Sequence, residues 1–144
     1  MHGFAPIEDF VPHRGAMLLV GEVLACDADS IIVGAAVPRA AWYLDEHGAM
    51  PAWIGLELMA QAIAAHAGVQ ARLEGGAPRR GVLLGCRAYR AALPSFAAGA
   101  ALEVDARRAS ADESGFAAFD CGIRSAGREI ASATVRVFVP PEGA

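Results

Sequence analysis

At 144 residues with a formal net charge of −4, the chain has the length of one ordinary domain, able to bury about 68–70% of its unfolded surface, and its acidity argues against nucleic acid as a partner. Hydrophobic residues make up 55% and charged residues 19%; this is apolar enough to suggest a buried subunit interface besides a core, yet no apolar run reaches the ~18 residues of a membrane span. Three cysteines, Cys26, Cys86 and Cys121, are too scattered for a disulfide framework or a metal-ligand spacing and read as buried free thiols in a reducing cytoplasm.

In chain order, Ile7 to Phe10 can form a short helical turn, which Pro12 ends because the residue before a proline is pushed out of the α region. The amino terminus pairs no basic region with an apolar stretch, so no signal peptide is expected. Met17 to Cys26 and Ser30 to Val37 are rich in Leu, Val and Ile, and Asp27-Ala28-Asp29 between them reads as the turn of a hairpin. Pro38 closes the hairpin, and a loop runs on through His47 and Gly48 to Met50.

After Pro51 the pattern changes. Trp53 to Arg72 holds no proline and many alanines and leucines, the composition of a helix. It is apolar on nearly all sides, interrupted by Glu57, Gln61 and His66, and a helix of that kind is buried. Gly75-Gly76-Ala77-Pro78 ends it. Strands are expected next over Val82 to Ala92, Ala101 to Arg108, Gly115 to Ile123 and Ile130 to Val139, separated by Pro94, Gly99, Asp112-Glu113-Ser114 and Ser125-Ala126-Gly127. Two strands, one buried helix and four strands in meander order make an α+β architecture spanning residues 1–144 as a single domain. Charge is divided along it: residues 1–71 carry two arginines against eight acids, and residues 72–144 ten arginines against eight acids. The second half offers either a positive rim to an acidic partner or a set of solvated strand faces.

Glu57 stands out chemically. A carboxylate about one turn into a buried helix is costly without partners or a purpose. At helical spacing Gln61 shares its face and can hold the carboxyl by a hydrogen bond; Gly68 continues that face, and the alanines between leave room for a substrate chain. The competing explanation, a glutamate stabilised by the helix dipole, leaves Gln61 unexplained.

Pro51-Ala52-Trp53-Ile54-Gly55-Leu56-Glu57-Leu58-Met59-Ala60-Gln61 resembles the helix-start motif of hot-dog 3-hydroxyacyl-(acyl carrier protein) dehydratases, in which a proline is followed six residues later by Glu or Asp and then by Ala-Gln. Val11-Pro12-His13-Arg14 followed by Met17-Leu18-Leu19-Val20 is similar to their amino-terminal segment, and Gly85 through Val104, with Pro94 and Gly99, to the strand–turn–strand after the helix. The likeness is greatest to a subfamily associated with polyene-type or specialised fatty acyl synthesis. The resemblance implies a hot-dog fold, one long helix wrapped by an antiparallel sheet. It further implies elimination of water from an acyl thioester on acyl carrier protein, without cofactor or metal, by a homodimer or a heterodimer with a related hot-dog subunit.

Carried over, Glu57 protonates the departing hydroxyl and Gln61 orients it. Ala52 stands where the family has a glycine whose backbone N–H binds the thioester carbonyl, and Trp53 lies beside it at the substrate. The family's histidine loop ahead of the helix is missing. His47 suits the role of base by its place in the chain, ten residues before Glu57. His13 suits it by proximity across the fold, its segment bordering the family's substrate tunnel. His66 falls on the opposite helix face and reads as structural or interfacial; His2 is terminal and uninformative. Two rival functions remain at this level: a hot-dog thioesterase, and a non-catalytic acyl-binding subunit that completes another protein's active site.

Overall fold

The structure is a computed structural model that describes residues 3–76 and 81–140; His2 and the Ala77-Pro78 part of the expected helix stop lie outside the described residues. One long helix, α1 (Ile54–Leu73), packs on the inner face of a six-stranded antiparallel sheet. The strands are β1 (Glu22–Cys26), β2 (Ser30–Ala36), β4 (Val82–Ala91), β6 (Ala101–Ala111), β7 (Phe116–Ser125) and β8 (Arg128–Phe138), in the order β1-β2-β6-β7-β8-β4. Two-residue strands β3 (Met50–Pro51) and β5 (Ser95–Phe96) pair separately. This is the hot-dog arrangement that the resemblance implies, and among the described residues no helix is long and apolar enough to cross a membrane.

The expected meander holds only for β6-β7-β8. β4 pairs with β8 rather than β6 and forms one edge of the sheet. The short β3–β5 ladder, absent from the sequence reading, ties the start of α1 to the connection between β4 and β6. The hairpin turn is built by Asp27, whose carboxylate accepts from Asp29 N (2.9 Å), Ser30 N (2.7 Å) and the Ser30 hydroxyl (3.0 Å). Those bonds hold its pKa below the usual carboxylate value.

α1 begins one residue later and ends one residue later than expected. Its carboxyl end is a Schellman motif: Gly76 N–H donates to Ala71 O (2.8 Å) and Gly75 N–H to Arg72 O (3.0 Å), with Gly75 at φ +83°. The helix side chains Leu58, Met59, Ala62, Ala65 and Val69 lie in a single core with Val33, Val104, Ile123 and Val135 from the sheet. The cysteines are free, but only Cys121 is buried, its thiol pushed up to about 12 chiefly by desolvation. Cys26 is half-buried. Cys86, expected in the interior, is exposed because it lies on the edge strand β4.

Candidate active site

The amino-terminal segment crosses α1 and is fixed there by backbone contacts. A short 3₁₀ turn over Ile7–Asp9 buries Ile7, and Phe10 and Val11 follow into the core. The carbonyl of Phe10 rests directly on Gly68; a Cβ there would lie 1.8 Å from Phe10 O. Gly68 thus serves close approach of the chain rather than space for a ligand. Arg14 then ties the segment into a knot, its guanidinium donating to the carbonyls of Val11 and His13 (both 2.7 Å) and Glu8 (2.8 Å). The result places His13 over the first turns of the helix.

Gln61, fully buried, connects the pieces. Its Oε1 accepts from Leu19 N–H at 2.9 Å and Val20 N–H at 3.4 Å. Its Nε2 donates to Met17 O at 2.7 Å and to Glu57 Oε2 at 2.9 Å. Two donors on one side and two acceptors on the other fix which way the amide faces. These bonds also explain why the strand expected from Met17 starts only at Glu22: Leu19 and Val20 use their N–H groups on the helix, not on a neighbouring strand. The Gln61 amide thus occupies Oε2 of the Glu57 carboxyl.

His13 Nε2 lies 3.8 Å from Glu57 Oε2, with the side chains 27% and 41% exposed. Both line the mouth of a cleft of about 510 Å³, whose walls include Met17, Ala60, Leu83 and Val137. A carboxyl, an imidazole and an apolar space therefore meet at one place. His13 Nδ1 is buried with no hydrogen-bond partner among the described residues.

The other expected residues do not join this cluster. His47 is exposed beside Glu46, at 3.7 Å, and is absent from the cleft walls. Ala52 directs its N–H to Pro94 O (3.0 Å), so the backbone donor implied at that place is already engaged. Its carbonyl accepts from Gly55 N–H and from the Tyr89 hydroxyl. Trp53 precedes the helix with its side chain largely exposed. His66 is buried against the β1–β2 turn, its Nε2 3.1 Å from the carbonyls of both Asp27 and Ala28, and has a structural place. No group of three or more possible metal ligands occurs among the described residues.

Sequence reasoning missed Tyr89. It projects from β4 at a bulge where Ala88 adopts φ +55°, and its hydroxyl reaches the start of α1. A Cβ on Gly55 would meet both this hydroxyl and Ile123. Burial raises the Tyr89 pKa, with Cys86 adding to the shift. A left-handed alanine inside a strand has no sequence signal.

Comparison with known proteins bears on this site. The sequence model of the ApeP-like family, described as ApeP dehydratase, matches residues 5–144. Among solved structures, the dehydratase heterocomplex ApeI:P from Xenorhabdus doucetiae is 26% identical, with a TM-score of 0.90 over 96% of this chain and 93% of that one. A hypothetical thioesterase with coenzyme A from Streptococcus pneumoniae is 16% identical, with a TM-score of 0.66 over 85% and 88%. A mutant of the phenylacetic acid degradation protein PaaI from Thermus thermophilus is 24% identical, with a TM-score of 0.61 over 81% and 90%. The latter two share the fold. No curated protein matches the sequence.

Proposed function

The chain belongs to the ApeP-like dehydratase family, and from that premise we propose that it eliminates water from a 3-hydroxyacyl thioester carried on acyl carrier protein. The product is the trans-2-enoyl thioester, formed in fatty acyl or polyene-type synthesis in the cytoplasm. The observation that carries this reading is the His13–Glu57–Gln61 cluster at the mouth of an apolar cleft. His13 Nε2 removes the proton α to the thioester carbonyl. The electron pair forms the double bond, the β C–O bond breaks, and Glu57 Oε1 protonates the departing hydroxyl to give water. Return of the proton from His13 to Glu57 through solvent, which both part-exposed side chains reach, restores both groups.

The unpartnered Nδ1 favours a second reading. A base acting through Nε2 carries its other proton on Nδ1, and a buried N–H without an acceptor is costly. On that reading the chain binds the acyl group and completes the active site of a related hot-dog subunit. The heterocomplex of the Xenorhabdus relative supports a mixed pair; a homodimer is the other arrangement.

Glu57→Gln and His13→Ala, assayed on a 3-hydroxyacyl thioester alone and with a related hot-dog subunit, separate the readings. For a catalytic chain each change lowers turnover by about 10²–10⁴-fold while the denaturation midpoint of Glu57→Gln stays near the parent's. Activity within a few-fold of the parent in both variants, with the related subunit required for any turnover, assigns the chemistry to that subunit.

A further inference from the structure

We propose that Tyr89 is a positioning residue for Glu57: its hydroxyl, donating to the Ala52 carbonyl, fixes the first turn of α1, on which that carboxyl stands. This rests on the reading that Glu57 takes part in the reaction. The helix does not fix its own start. Its N-cap is Trp53, which makes no side-chain capping bond, and an uncapped first turn frays. Glu57 lies in that turn. Its bond to Gln61, 2.9 Å long, is lost with a shift of about 0.5 Å. The hold comes from β4 and the chain just after it. Ala52 N–H donates to Pro94 O at 3.0 Å. The Ala52 carbonyl accepts from Gly55 N–H at 2.9 Å and from the Tyr89 hydroxyl, so both of its lone pairs are used.

Two local costs bring the hydroxyl to that carbonyl. Ala88 adopts φ +55°, a strained value for a residue with a Cβ, at the bulge that turns Tyr89 towards the helix. Gly55 sits inside α1, where glycine is a poor helix former. A Cβ there would meet the Tyr89 hydroxyl and lie 2.9 Å from Ile123 Cδ1. The end of the Ile123 side chain can swing aside; the hydroxyl cannot move without leaving Ala52. A tether for stability alone would be redundant at this place. The β3–β5 pairs and the bond from Ala52 to Pro94 already hold residues 50–52. The hydroxyl adds a grip on the carbonyl that faces into the first turn, the one to which Gly55 is bonded.

Tyr89→Phe keeps the ring and removes the hydroxyl. Gly55→Ala, which favours the helix and pushes the hydroxyl away with its methyl, serves if the first variant does not fold. The chain has two side-chain amides, Gln61 and Gln70. Gln61 donates to Glu57 Oε2, so its nitrogen–proton NMR signal reports the place of that carboxyl without any reaction. Gln70, in the last turn of α1 and bonded to Asp27 O, is the control. Turnover of a 3-hydroxyacyl thioester is measured with and without a related hot-dog subunit. The Gln61 signal is expected to move and the Gln70 signal to stay. Turnover number should fall about tenfold with KM within about twofold, because misplacement of Glu57 spoils the reaction more than binding. An unmoved Gln61 signal overturns the proposal, whatever the turnover. So does a moved signal with the parent's turnover number, or a loss confined to KM. If the parent turns over no thioester but the Gln61 signal still moves, the tether to Glu57 stands and the dehydration reading falls.

Discussion

Gln61 and His66 are the two buried polar side chains of α1, and opposite uses are made of them. Gln61 spends its full hydrogen-bonding capacity on holding the 17–20 segment and Glu57 together. Its importance was legible from spacing alone, since a position four residues after a helix carboxylate shares its face. The backbone partners were not legible, because they lie more than forty residues away in the chain. His66 clamps the β1–β2 turn to the helix, donating from Nε2 to two carbonyls. Burial holds its pKa below the usual histidine value, partly opposed by those carbonyls. The sign of the linkage follows. The unfolded chain takes up the proton first as pH falls through the ordinary value of about 6.5, so stability is lost below that point and is unaffected above it. Denaturant melts of the parent between about pH 7 and pH 5 are expected to show a fall that His66→Gln reduces. An equally steep fall in the variant would assign the acid sensitivity to other groups.

At the scale of elements, α1 is held in register by two glycines that admit other parts of the chain. At Gly68 the neighbour is the Phe10 backbone, which has no rotamer by which to withdraw. Gly68→Ala gains up to about 1 kcal/mol of intrinsic helix propensity but forces a clash whose cost is about 1–3 kcal/mol or more. The steric term wins. Equilibrium unfolding is expected to show net destabilisation, and turnover to fall because the segment bearing His13 lifts from the helix; a stabilised variant would mean that the crossing is looser than described. Most of the elements were readable from sequence. The helix announced itself by composition and by its glycine stop, and five of the six sheet strands began within two residues of expectation. What could not be read was pairing. Nothing local tells β4 to leave β6 and join β8, since that choice depends on which strands meet across the wrapped helix. Likewise β3 and β5 are too short for any periodicity to register. The placement of His13 over Glu57 and the isolation of His47 are consequences of such long-range packing.

For the molecule as a whole, the unmet demand is the edge at β4. The strand is ten residues long, and Val82, Leu83 and Leu84, which alternate across its two faces, are 55%, 41% and 47% exposed. A long apolar edge of this kind is a template for pairing with another chain and is covered in stable proteins. The opposite edge, β1, has five residues and offers less. An antiparallel pairing of β4 with the same strand of a second hot-dog subunit would join two sheets into one and cover the exposed leucines. It would also bring a second helix beside the cleft at His13 and Glu57, whose wall includes Leu83. Obligate interfaces of this sort bury roughly 2,000 Å² or more, and the 55% hydrophobic composition agrees with one. Leu84→Lys is the informative change, because Leu84 is absent from the walls of the His13–Glu57 cleft and a charge on an edge strand opposes pairing. Light scattering is expected to give a two-subunit mass for the parent at micromolar concentration, as a homodimer or with a related subunit supplied. For Leu84→Lys it should give a shift towards single subunits, with the far-ultraviolet spectrum retained. A parent that stays a single subunit even with the related protein present would remove the interface from this edge. The exposed leucines would then need a different covering.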